Sequence, residues 1–295
     1  MITAAFDYRR PTTVQEAIAL LQQYGDDAKL LAGGHSLLPV MKLRLAEPKV
    51  LIDLGRVRDL SGIRQDGNEV VLGAMTTHYD VLSSALLQRL CPLLAETAAH
   101  IGDPQVRNRG TIGGSLAHAD PGADLPAALI ALGATIRAVG PGGERTLAVQ
   151  DLVVDMLTTS LQPNEVLVEV RTPALAAGQG GAYEKFPQPA SRFALVGAAA
   201  LVTVQGERIT AARVGLTGAA PTPLRLPAVE AALTGQTAAA IPAAAAQAAT
   251  GWEPNDDLHA SGEYRQHLAT VLVRRALERA VAVATGQAAP RFGHW

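Results

Sequence analysis

The sequence predicts an α+β chain, on two patterns and a break between them. Over the first 55 residues strand-like and helix-like segments alternate, as parallel strands joined by helices require. Further on, strands pair across tight turns: Ala134–Val139 with Arg145–Val149 around Gly140-Pro141-Gly142-Gly143, and Phe193–Val204 with Ile209–Thr217 around Gln205-Gly206-Glu207. The break is the Pro-, Ala- and Gly-rich stretch Pro173–Gly181.

Residues 12–25 read as a helix, with Thr13 and Glu16 as a capping box, Val14, Ala17, Ile18 and Leu21 on one face, and Gly25 as the stop. The strand Lys29–Ala32 runs into Gly33-Gly34, a short helix starts near Ser36, and Lys49–Asp53 is a second strand. Glu69–Ala74 is a strand, Asp80 to about Ile101 is helical with a break near Pro92, and Gly102 to about Gly122 reads as a long irregular loop. Asp124 opens another helix, and Glu165–Arg171 closes the second unit. The remainder is Ala-rich and helical. It ends in a long helix over about Glu263–Thr285 and an irregular tail, Gly286–Trp295.

The 295 residues carry a net charge of −2, and no basic block points to nucleic acid. No apolar run approaches the roughly 18–20 residues of a membrane span, and the N-terminus has no signal-peptide pattern, so the expected compartment is the cytoplasm. The single cysteine, Cys91, cannot hold an iron–sulfur cluster, which takes about four ligands, and reads as a small buried hydrophobe. The seven histidines form no metal-binding pattern.

Two glycine segments carry the chemistry. In Leu30-Leu31-Ala32-Gly33-Gly34-His35-Ser36-Leu37 a strand ends in Gly-Gly before a helix start, where backbone N–H groups can converge on an anion. It has neither the P-loop ending nor the three-glycine dinucleotide spacing, and a plain strand-to-helix turn explains it equally well. The second segment, Arg107 to Pro121, contains Thr111-Ile112-Gly113-Gly114-Ser115 and is long enough to be functional. Together the two could close on a diphosphate from both sides.

The pair AGGHSLLP and NRGTIGGSLAHADPGADLP resembles the FAD-binding medium subunit of the molybdenum hydroxylases, a family that includes aerobic carbon monoxide dehydrogenase and xanthine dehydrogenase. FDYRRPTTVQEAIALL, LIDLGRV, LGAMTTH and Glu184-Lys185-Phe186 with Pro189-Ala190-Ser191-Arg192 extend the likeness along the whole chain. The resemblance implies a two-part FAD-binding domain of the vanillyl-alcohol oxidase/PCMH type over 1–175, with parts 1–57 and 58–175. A C-terminal domain over 176–295, with a small antiparallel sheet and helices, would follow.

It further implies that Leu31, Ala32, Gly33, Gly34, His35, Ser36 and Leu37 wrap one side of the FAD pyrophosphate, and Thr111, Gly114, Ser115 and Ala117 the other. Asp124 would bind sugar hydroxyls, or else simply cap its helix. Ile101 and Leu167 would give apolar contacts to the flavin, their alternative being ordinary core. Lys185 would place a cation by the flavin ring, its alternative being a solvated strand lysine. Phe193 would stack where relatives often have tyrosine, without the hydroxyl. Arg107 and Arg109 are open between phosphate contacts, surface positions and contacts with another subunit. Valine at Gly33 or Gly114 is expected to abolish FAD retention by filling the diphosphate's space.

The implied role is electron exit from a heterotrimer. A molybdopterin cofactor would sit on a large partner subunit and [2Fe-2S] clusters on a small one, the whole forming a dimer of heterotrimers. The substrate would be carbon monoxide or an N-heterocycle such as a purine or a nicotine-like compound. The competing readings are a self-sufficient flavin oxidase or reductase of the same fold, and a cofactor-free assembly subunit.

Overall fold

In a computed structural model, which describes residues 2–293, three sheets of three or more strands follow one another along the chain. The first comprises β1 (Asp7–Arg9), β2 (Ala28–Leu31) and β3 (Val50–Asp53), with helices α1 (Val14–Tyr24) and α2 (Leu37–Lys42) between them. All three strands are parallel, in the order β1-β3-β2. Thr13 caps α1 by accepting from the Glu16 amide at 3.1 Å, and Ala17, Ile18 and Leu21 bury its apolar face. The Glu16 carboxylate completes the cap mainly one residue early, accepting from the Thr12 amide and hydroxyl.

The second part opens with β4 (Ile63–Asp66) and β5 (Glu69–Gly73). Six helices follow: α3 (His78–Ser83), α4 (Ala85–Leu90), α5 (Pro92–Ala99), α6 (Pro104–Arg107), α7 (Ile112–His118) and α8 (Leu125–Leu132). Strands β6 (Thr135–Gly140), β7 (Gly143–Ala148), the small pair β8 (Val153–Asp155) and β9 (Thr158–Thr159), and β10 (Val166–Pro173) complete it. The five-stranded antiparallel sheet runs β4-β5-β10-β6-β7, so β10 is central to it. On one of its faces the buried Glu169 receives hydrogen bonds from Arg64, Arg137 and Arg171. Burial alone would raise its pKa, but those three guanidiniums prevail and hold it down at about 2.

The last part is a four-stranded antiparallel sheet, β11 (Gln179–Pro187), β12 (Ala194–Gln205), β13 (Arg208–Thr217) and β14 (Leu224–Arg225). Helices α9 (Pro227–Leu233), α10 (Ile241–Ala245) and α11 (Gly262–Ala284) cover it. The tail beyond Gly286 has no regular structure through Gly293, and the last two residues of that expectation, His294 and Trp295, lie outside the described residues.

Two expectations are corrected by packing. The stretch Gln179-Gly180-Gly181, read as the end of the Pro-, Ala- and Gly-rich break, is the start of β11. A Cβ on Gly180 would lie 2.3 Å from the Ala280 carbonyl oxygen, so glycine here lets α11 lie against the strand. The loop after Gly102 is likewise not irregular throughout, since α6 and α7 lie within it. A Cβ on Gly113 would come within 2.5 Å of the Ala74 methyl, which is why this turn of α7 needs glycine.

The cores run through these parts rather than stopping at their edges. Val166 and Val168 of β10 join the core beneath the first sheet. Tyr183, Ala199 and Leu201 of the last sheet join the core formed by α3, α4, α5, α7, α8 and the five-stranded sheet. The third core fills the space between the last sheet and its helices.

Candidate functional site

The loop after β2 and the stretch before α7 meet directly. A Cβ on Gly33 would lie 2.0 Å from the Arg109 carbonyl oxygen and 2.9 Å from Gly110 Cα, so only glycine lets the two backbones touch. This changes the reason for Gly33. Its side-chain space is taken by the opposite loop and not by a ligand. At Gly114 a Cβ would meet the Thr111 hydroxyl at 2.8 Å, so that glycine serves the local cap. Gly34, with φ 79°, supplies the left-handed turn that redirects the chain into α2.

A cavity of about 580 Å³ opens where these loops meet, within the usual range for small-molecule sites. Ala32 through Leu37 line it from the first loop, and Thr111, Gly114, Ser115 and Ala117 from the second. Ile101, Asp124, Leu167 and Phe193 complete the predicted part of the wall. Leu31 and Lys185 are not in the wall. Leu31 belongs to β2, just before the turn, and the Lys185 side chain is 2% exposed behind Asp124.

The two loops offer different donors. Ser36 makes no side-chain cap bond on α2, so its hydroxyl is not spent on the helix. In the second loop the amides of Ile112, Gly113 and Gly114 are committed, to Thr76 O at 3.0 Å, Ala74 O at 2.8 Å and Thr111 Oγ1 at 3.1 Å. That loop therefore does not present its leading amides to an anion, as the glycine pattern had implied. It presents the hydroxyls of Ser115 and Thr111, the latter still able to donate its own proton. The His35 ring bonds through Nε2 to the Gln105 carbonyl at 3.2 Å, and so ties one loop to the other. Arg107 is buried and donates to the carbonyl of Ile101 at 2.9 Å and of Gly102 at 3.3 Å, which corrects its reading as a phosphate or surface group.

Asp124 stands at the start of α8 but makes no side-chain cap bond there. The Tyr183 hydroxyl donates to its Oδ1 at 2.5 Å, and the Lys185 ammonium to its Oδ2 at 2.8 Å. Burial pushes the Asp124 pKa upward, against the opposing pull of Lys185 and the two hydrogen bonds. Lys185 also donates to the His100 carbonyl at 3.0 Å, so it is no solvated strand lysine.

Sequence reasoning assigned no cofactor role to several residues of the wall: Met75, His78, Leu157, Ser191 and Arg192. His78 is held at about pKa 4 by burial first, then by the charges of His35 and Arg107, so it is neutral at pH 7. The signal for it was present, because Thr77 and Asp80 form a full capping box that starts α3 at His78. Leu157 and Arg192 both hold positive φ, 55° and 62°, and both line the cavity. Such strained residues tend to gather at functional sites.

The wall fits a dinucleotide. It has a floor of small residues where two backbones meet, hydroxyl donors on both sides, a buried carboxylate for sugar hydroxyls, and apolar Ile101, Leu167 and Phe193 for a ring system. Residues 4–175 match the family of the FAD binding domain in molybdopterin dehydrogenase, and residues 181–280 match the CO dehydrogenase flavoprotein C-terminal domain. The chain belongs to this family of FAD-binding flavoproteins of the molybdopterin dehydrogenases.

Its relatives narrow the likeness. The carbon monoxide dehydrogenase medium chain of Hydrogenophaga pseudoflava is 47% identical over 282 residues, covering 95% of this chain and 98% of that one. The carbon monoxide dehydrogenase medium chain of Afipia carboxidovorans is 43% identical over 287 residues, covering 96% and 99%. A solved structure of carbon monoxide dehydrogenase from Hydrogenophaga pseudoflava, lacking the Mo-pyranopterin moiety of its molybdenum cofactor, matches with a TM-score of 0.93. It is 49% identical, over 96% of this chain and 99% of that chain.

Proposed function

We propose that this chain is the electron-exit subunit of a heterotrimeric molybdenum hydroxylase, and that FAD lies in the cavity between the two glycine loops. The observation that carries this reading is the direct meeting of the loops at Gly33 and Arg109, with a cavity of about 580 Å³ at the seam. Ala32 to Leu37 would hold one side of the pyrophosphate, through backbone donors and the Ser36 hydroxyl. Thr111 and Ser115 would hold the other through their hydroxyls. Asp124 would accept from sugar hydroxyls, and Ile101, Leu167 and Phe193 would exclude water from the ring. Lys185 acts on the site through Asp124, favouring its charged form against the burial that opposes it. When bound, FAD supplies a carrier suited to both one-electron and two-electron transfer.

The other centres belong to partner chains: a molybdopterin cofactor on a large subunit and [2Fe-2S] clusters on a small one, in a dimer of heterotrimers in the cytoplasm. One cysteine in 295 residues is consistent with that division. The division near residue 175 separates the FAD-binding domain from a C-terminal domain that closes the cavity with Ser191, Arg192 and Phe193. The large subunit would select the substrate, carbon monoxide or an N-heterocycle.

The test is co-expression and co-purification with the large and small subunits it is proposed to join. Flavin absorption together with iron–sulfur absorption in the complex, both bleached by the substrate, is the expected result. Bleaching of the isolated chain by a simple alcohol or amine would overturn it in favour of a self-sufficient oxidase.

A further inference from the structure

Tyr183 is not in the cavity wall, yet its hydroxyl ends on a residue that is. Its side chain is buried, and its ring stands edge-on to His100 at 5.4 Å. Its amide donates to the buried Glu96 carboxylate of α5 at 3.0 Å, and its carbonyl accepts from Arg279 of α11 at 2.6 Å. On the neighbouring strand, Gly197 leaves room for the phenol tip, since a Cβ there would lie 2.2 Å from the hydroxyl oxygen. The residue is thus fixed at its backbone, its ring and its tip, and the tip is aimed at Asp124 Oδ1. Lys185, two residues along the same face of β11, takes Oδ2.

Asp124 comes from the other half of the chain and has no bond to its own helix end. Its rotamer is therefore set by β11. Each oxygen keeps acceptor capacity beyond the bond it makes to that strand. We propose that Tyr183 is a positioning residue for the cofactor: with Lys185 it fixes the Asp124 carboxylate in the cavity wall, so that FAD retention depends on a strand behind that wall. The inference rests on the reading of Asp124 as a contact to the sugar hydroxyls of FAD.

The test uses the assembled complex, stripped of FAD and titrated with it, with quenching of flavin fluorescence as the readout. Tyr183→Phe keeps the ring and its packing and removes one O–H. Loss of a hydrogen bond to a charged group predicts FAD affinity lower by about tenfold or more. Asp124→Asn should weaken binding at least as much. The double variant should bind no worse than Asp124→Asn alone, because Tyr183 acts through Asp124. Asp124 is faced by Tyr183 and Lys185 from β11 and by Arg192 from the β11–β12 loop. Of these, Tyr183→Phe removes only a bond to the ionised form, so the acid loss of FAD should move to higher pH.

Wild-type affinity in Tyr183→Phe, an unmoved acid limb, or losses that multiply in the double variant would each overturn the proposal, since a merely structural tyrosine gives independent effects. Wild-type affinity in Asp124→Asn would instead overturn the reading of Asp124 as a cofactor contact, and the proposal with it.

Discussion

Replacing Gly33 by alanine separates two accounts of the glycine loops. If Gly33 only leaves room for a diphosphate, the variant without FAD should be as stable as the wild type. The structure predicts otherwise. The new methyl would lie 2.0 Å from the Arg109 carbonyl oxygen, so the opposing loop would have to retreat by roughly 1.4 Å to reach ordinary contact at 3.4 Å. That loop resists movement: Gly110 donates to Val106 O at 2.7 Å and accepts from the His78 amide at 2.9 Å. Overpacking of this kind costs about 1–3 kcal/mol. At about 2 kcal/mol, the melting temperature of the FAD-free chain should fall by about 4–8 °C. Gly142→Ala is the control, because nothing lies within 4 Å of its new methyl and its φ is not left-handed, and it should be neutral within about 0.5 kcal/mol. Thermal unfolding of the two FAD-free variants makes the comparison. An unchanged melting temperature in Gly33→Ala, coupled to lost FAD binding, would refute loop closure as the reason for this glycine.

Further outcomes follow from the buried charges. Lys185→Met leaves the Asp124 carboxylate buried without its cation, and should cost about 3–5 kcal/mol near neutral pH in denaturant titrations. The cost should shrink on acidification, as Asp124 takes up a proton, and a constant cost would contradict the pairing. Burial, aided by nearby positive charge, lowers the pKa of His78 to about 4 and of His100 to about 3, against an unperturbed 6.5. The unfolded chain therefore takes up protons below pH 6.5 that the folded chain refuses. Their contribution is complete above pH 6.5 and is lost as the pH falls toward 4 and 3, so unfolding free energy should already decline between pH 6.5 and 5. A flat profile over that interval would contradict their burial as neutral rings. Cys91 is fully buried, and burial pushes its thiol up to about 11, so a thiol reagent at pH 8 should label it only after unfolding.

Much of the fold was legible where local signals agree. In α1 the Thr13 cap, the apolar spacing and Gly25 all point to the same helix, and it forms within a residue or two of the expected ends. The hairpin of β12 and β13 was plain from two apolar strands around a Gln-Gly-Glu turn. What escaped was set by distant partners. Strand β1 is three partly exposed residues, Asp7-Tyr8-Arg9, that become a strand only by pairing with β3. Gly180 and Gly181 read as part of the break because their reason, close approach of α11 and of Leu93, comes from elsewhere in the chain. The site divides in the same way. The glycine pairs marked both loops, but nothing local showed that Gly33 abuts Arg109, or that the second loop's amides are already spent. Nor could spacing show that Tyr183 and Lys185 converge on Asp124 from another sheet.

The central claim is that the cavity between the two glycine loops holds FAD. The most direct measurement is the flavin released by acid from the purified complex, counted per copy of this chain, for the wild type and for Gly33→Val. The account predicts about one FAD per chain in the wild type and none in the variant, with iron–sulfur absorption retained in both. A wild-type complex without flavin, or a variant that keeps its full complement, would contradict it.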